Sequence, residues 1–200
     1  MFFDKKILRV SSFEHFKKHK DEARLDINEG VASLIGKCSD SNLRVEMKFG
    51  VSNSFVLCMS AIKSKSICEM FSVDSCFEIF DIINFSIIIA DALIKKSYIV
   101  SKIFFGFCSY KDTRDIQSMI KQKDIDEIKI DDKNHTMDFD ALFRLGNKMS
   151  MPDIFFLKSN NYIEQHEFRI IWNICNEKIP DFIDLYIPDI DKVCRKTNTI

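Results

Sequence analysis

Polar and apolar side chains alternate most regularly along residues 158–175, KSNNYIEQHEFRIIWNIC. A period of two belongs to an extended strand, whose successive side chains point to opposite faces. Gln165, Glu167, Arg169 and Ile171 share one predicted face; His166, Phe168, Ile170 and Trp172 share the other. The second face is suited to a core. The first sets a carboxamide, a carboxylate and a guanidinium in a row on a rigid support, and in an antiparallel sheet such a face is often wet.

The same reasoning places the remaining elements. Residues 5–12 give a short strand ending near Arg9, Ser11 and Ser12, followed by a helix through the basic segment KKHKDEAR and a loop at 26–30. LRVEMKF at 43–49 alternates as a half-buried strand, and the unbroken apolar run 54–62 reads as a buried central strand that delivers Ser60 near its end. A strand at 77–83 precedes a helix capped by Asn84 and running to Lys96, and a long strand follows at 98–110. Residues 111–140 have the weakest pattern and read as a variable charged insertion with short helices at 115–123 and 138–145. Strands at 151–157 and 182–187 and a frayed polar tail complete the chain. Strands and helices in this order make a single α+β domain over residues 1–200 with mainly antiparallel sheets.

Composition narrows the partners. With 29 basic against 30 acidic side chains, the chain lacks the basic excess of a tight nucleic-acid binder. Seven cysteines, an odd number with no C-x-x-C spacing, read as free thiols of a reducing cytoplasm rather than as disulfides or zinc ligands. The longest apolar run, near Ile82 to Ala90, is short and broken by Asn84 and Ser86, so neither export nor membrane insertion is expected. The acids Asp124, Asp126, Glu127, Asp131 and Asp132 read as a solvated loop; a metal-dependent nuclease built on them is a weaker possibility, and no metal is expected.

Three polar features fall on predicted core strands: Arg9, then Ser60, then Gln165-x-Glu167. That order resembles the Arg-Ser-Glu class of mono-ADP-ribosyltransferases, and this resemblance rests on four residues. Ser60 is followed by Ala61 and Ile62, where the transferase pattern has a second hydroxyl residue two positions on. Lys158, Tyr162 and QHEFR, together with ARLDINEG near residue 30, also resemble a family of small bacterial and phage proteins over most of the chain.

The transferase resemblance implies two small, mainly antiparallel sheets with flanking helices and a cleft between them that takes NAD. It implies transfer of ADP-ribose to a macromolecular acceptor, whether protein, RNA or DNA, by a toxin or phage-defence effector. An antitoxin or regulatory protein would be a further partner. Glu167 would face the cation that develops on the ribose as nicotinamide leaves, and Gln165 would orient the acceptor. Arg9, with Arg24 as its rival, would hold the diphosphate through a forked guanidinium. Ser60 would bond Glu167 or the ribose, and Tyr162 would stack on nicotinamide or anchor a loop. Arg169 is expected to pair with a neighbouring acid. The alternative is a non-catalytic binding or adaptor protein of the same fold, with QHEFR as a structural strand.

Overall fold

The computed structural model describes residues 2–18, 20, 25–51, 53–73, 75–128, 130–131, 136–176 and 178–198. The chain opens with α1 (Phe2–Lys5), β1 (Ile7–Ser12) and α2 (Phe13–Lys17), then β2 (Val31–Cys38), β3 (Arg44–Gly50) and β4 (Ser54–Ser60). Next come α3 (Lys65–Met70), β5 (Ser75–Ile79), α4 (Ile82–Lys95), β6 (Val100–Phe107), β7 (Ser109–Lys111) and β8 (Asp115–Ile120). After α5 (Gln122–Asp126), β9 (Ile130–Asp131), β10 (Thr136–Met137) and α6 (Phe139–Ser150), the chain ends with β11 (Leu157–Ser159), β12 (Glu167–Ile174), β13 (Phe182–Tyr186) and β14 (Cys194–Asn198).

A five-stranded antiparallel sheet, ordered β13-β1-β4-β12-β6, forms the centre. Directly paired residues share a face, so the pairings Trp172 with Phe55 and Ile103 define one side. This side packs on α4 through Phe85, Ile89 and Leu93, all fully buried. The other side carries Val56 and Ile171, and packs with Leu34, Phe49 and Ile116 of a three-stranded sheet, β3-β2-β8, and with Leu145 and Met149 of α6. Strand β12, between β4 and β6, is thus covered on both faces. Among the described residues no helix is long and apolar enough to cross a membrane.

The α+β class and the mainly antiparallel pairing are as expected, although β2 with β8 and β7 with β11 pair in parallel. Several elements differ from the sequence reading. Residues 115–120 are strand, not helix: Ile116 and Ile120, four apart, share a face in either conformation, and pairing to β2 decides between them. Strand β2 itself, VASLIGKC, has no clean alternation because five of its eight residues are buried. Asp81, not Asn84, caps α4, accepting from the Asn84 backbone N–H at 3.0 Å. The helix after Ser12 ends at Lys17, and within the polar tail Cys194–Asn198 form β14, paired with β5, where a frayed segment is expected from the sequence. The stretch 158–175 is not one strand: Lys158 and Ser159 end β11, residues Asn160–Gln165 form a 3-10 helix, His166 turns the chain through a left-handed conformation at φ 45°, and β12 starts at Glu167.

Trp172 is fully buried and donates its indole N–H to the Ser86 carbonyl at 2.9 Å, tying β12 to α4. Trp172→Ala is expected to cost about 3–5 kcal/mol through the cavity and the lost bond. Phe168, on the same face but only half-buried, should cost less. Urea unfolding of both variants checks the ranking, and a Trp172→Ala loss below about 1 kcal/mol would contradict the face assignment.

Candidate functional site

At the start of β12, Glu167 and Arg169 point to the side shared with Val56 and Ile171, as the alternation predicts. They are not wet. The second layer covers them, leaving Glu167 5% and Arg169 0% exposed. A buried charge requires partners, and these come from segments far apart in sequence. Arg169 Nε donates to Glu167 Oε1 at 2.5 Å, its Nη1 donates to the Phe155 carbonyl at 2.7 Å, and the same nitrogen stands 2.8 Å from Glu29 Oε1. That last contact is close but poorly aligned for a hydrogen bond, and Arg169 Nη2 finds no hydrogen-bond acceptor among the described residues. Lys158, also buried, donates to Glu167 Oε2 and, at 2.8 Å, to Gln165 Oε1. Two cations and two anions therefore balance within the fold.

Beside this quartet the fold leaves a cleft of about 530 Å³, bordered by Asp26, Lys48, Asp112, Arg114, Asn161 and Tyr162 among others. Tyr162 joins the two. Its hydroxyl donates to the Leu25 carbonyl at 2.5 Å, and its ring centroid lies 4.9 Å from Lys158 Nζ. Arg114 is held to Asp26 and donates to the Asn28 carbonyl at 2.7 Å. The two stretches singled out in the sequence, DINEG and the segment from Lys158 to QHEFR, thus meet at one place. Gly30 closes DINEG in the left-handed region, φ +67°, and a Cβ there would lie 2.6 Å from Val51 Cγ2.

Electrostatics separate the two carboxyls. Burial raises the Glu29 carboxyl above its ordinary range, with Arg169 opposing. Burial would raise Glu167 too, but Arg169 and Lys158 outweigh it and hold its pKa down at about 2. Burial works most strongly on the Lys158 ammonium and would lower its pKa, but Glu167 together with Cys58 and Glu29 outweighs it and raises the pKa. The flanking thiols are poor nucleophiles: burial pushes Cys108 up to about 12 and Cys58 higher than its ordinary value.

These shifts predict a pH dependence. A carboxyl whose pKa is depressed on folding contributes stability fully above its unfolded value, near 4.5, and loses that contribution as pH falls through its folded value. Glu167 should therefore supply on the order of 3 kcal/mol that disappears between pH 4.5 and about 2. Glu29, with its raised pKa, acts in the opposite sense, its contribution being lost as pH rises. Urea unfolding as a function of pH checks this: the acid limb should be shallower in Glu167→Gln than in the wild type.

The expected nucleotide-binding set is only partly assembled. Arg9, Ser60 and Glu167 do lie on one face of the adjacent strands β1, β4 and β12, and Ser60 is the direct cross-strand partner of Glu167. Their side chains do not converge. Arg9 is exposed, bidentate to Asp184 at 2.7 and 2.8 Å, with its guanidinium 4.0 Å from the Phe182 ring centroid. Ser60 Oγ accepts from the Ile62 backbone N–H at 3.3 Å, whereas Glu167 takes Lys158 and Arg169. Gln165 lies on the 3-10 helix rather than the strand, with its carboxamide turned to Lys158. Arg24 and Asp132 lie outside the described residues. Asp124 is bonded to Lys148 at 2.7 Å, and the described residues contain no group of three His, Cys, Asp or Glu able to hold a metal.

Arg169 pairs with neighbouring acids as expected. Glu29, Asp26 and Arg114 went unassigned as site residues; the signal for the two acids was their spacing, three apart in a short turn, DINEG, ending on a glycine. Comparison of the chain with protein-family models, with curated proteins and with solved structures gives no match. The class that the fold defines is α+β with mainly antiparallel sheets.

Proposed function

We propose that this chain is a mono-ADP-ribosyltransferase that takes NAD into the cleft beside Tyr162 and passes ADP-ribose to a macromolecular acceptor. The observation that carries this reading is the placement of Arg9, Ser60 and Glu167 on one face of three adjacent strands, in the order the resemblance implies. The cleft volume lies within the ordinary range for small-molecule sites. Tyr162 offers a ring for stacking, Lys48 and Arg114 border the cleft with positive charge in place of the outward-turned Arg9, and Glu167 lies one side chain behind the wall. Loss of nicotinamide leaves positive charge on the ribose, and a fixed carboxylate in a low-dielectric setting stabilises it.

One observation favours a second reading, a non-catalytic binding protein of the same architecture: both oxygens of Glu167 are already engaged, by Lys158 and Arg169. Incubating the purified chain with labelled NAD and lysate separates the two. Nicotinamide release with label transfer supports the transferase; binding of NAD without release supports the binder.

A further inference from the structure

The two cations on Glu167 are held differently. Arg169 is fully buried and fixed by Glu167, by the Phe155 carbonyl and by the nearby Glu29. Lys158 meets Glu167, Gln165 and the Tyr162 ring through side-chain atoms. Its flexible four-carbon stem carries three rotatable donors, unlike the rigid guanidinium fork. Tyr162 is in the cleft wall, as is Ser159, the residue that follows Lys158. Of the two cations, the ammonium is the one on a flexible stem, and it lies against Tyr162 of the cleft wall.

A carboxylate bracketed by two cations has little capacity to stabilise a third positive centre. If Glu167 is to face a ribosyl cation, one of its partners has to leave, and Arg169 has nowhere to go. We infer that Lys158 is the ligand-responsive residue of this site: an anionic group of a nucleotide in the cleft draws the ammonium off Glu167 Oε2. The carboxylate is then left on Arg169 alone and open toward the cleft. This inference rests on the nucleotide reading above. The exchange is physically reasonable because the ammonium passes from one anion to another and is never an unpaired buried charge. A ligand shifts such an equilibrium only through its differential affinity for the two arrangements. A neutral nucleoside has no anion to offer and leaves Lys158 in place, so the device selects phosphorylated ligands.

The test uses the full chain with lysine side chains labelled for NMR, the Lys158 Nζ signal being assigned by its disappearance in Lys158→Arg. Free ADP-ribose and adenosine are added in parallel, with calorimetry on the same samples. ADP-ribose is expected to bind and to shift the Lys158 signal, while adenosine leaves it unmoved. Lys158→Gln should weaken ADP-ribose binding about tenfold, the worth of one charge-assisted hydrogen bond. Binding of ADP-ribose with an unmoved Lys158 signal overturns this inference and leaves the nucleotide reading standing, as does an equal shift with adenosine. Failure of ADP-ribose to bind the wild type overturns both.

Discussion

Arg169→Met is expected to lower the stability of the fold by about 3–5 kcal/mol, the largest effect of any single substitution in the charged centre. The guanidinium is completely inaccessible and touches both Glu167 and Glu29. Methionine fills much of the same space, so the loss comes mainly from electrostatics rather than from a cavity. Without Arg169, two buried carboxylates share the single cation Lys158. Breaking a buried ion set by removing one member costs more than the intact set contributes, because the remaining charge is left uncompensated in a low-dielectric interior. Glu29 is the member whose charge is already disfavoured by burial. Glu29→Gln in the Arg169→Met background should therefore recover at least about 1 kcal/mol, a non-additivity expected of residues in one network. Urea unfolding of the two single variants and the double variant measures the coupling. A loss below about 1 kcal/mol for Arg169→Met alone would mean that the second layer does not seal this face.

On the transferase reading proposed above, Glu167→Gln is expected to reduce NAD turnover by about 10²–10³-fold, the usual consequence of removing a group that stabilises transition-state charge. The substitution preserves shape and removes only the negative charge. Thermal unfolding measured on the same preparation separates loss of the site from loss of the fold. Turnover of the variant at the wild-type rate would remove Glu167 from the chemistry. A wild type that binds NAD without releasing nicotinamide would establish the binding reading instead. Both oxygens of Glu167 are engaged by Lys158 and Arg169, so on the transferase reading the carboxylate would face a ribose only once the ammonium had moved.

Elements with one dominant local signal were legible in the sequence. The alternation EFRIIW assigned the faces of β12, with Phe168, Ile170 and Trp172 on the side packed against α4. The apolar run at Ser54–Ser60 marked a central strand with its first three residues buried. Elements whose local signal fits two conformations were not legible. Ile116 and Ile120 suit a helix face as well as a strand face, and β2 lacks alternation because both of its sides are covered.

Partnership was the least legible of all. Arg9 belongs to Asp184, 175 positions away, through the pairing of β1 with β13. Arg169 meets Glu29 only because the second layer closes over β12. The sequence by itself determined which residues of β12 share a face and that the chain is α+β. Only the tertiary structure decided that the charged face is buried, that Lys158 and Arg169 divide Glu167 between them, and that a cleft opens beside Tyr162. The physical reason is that alternation specifies direction along one strand, whereas burial and ion pairing depend on which other segment arrives on that side.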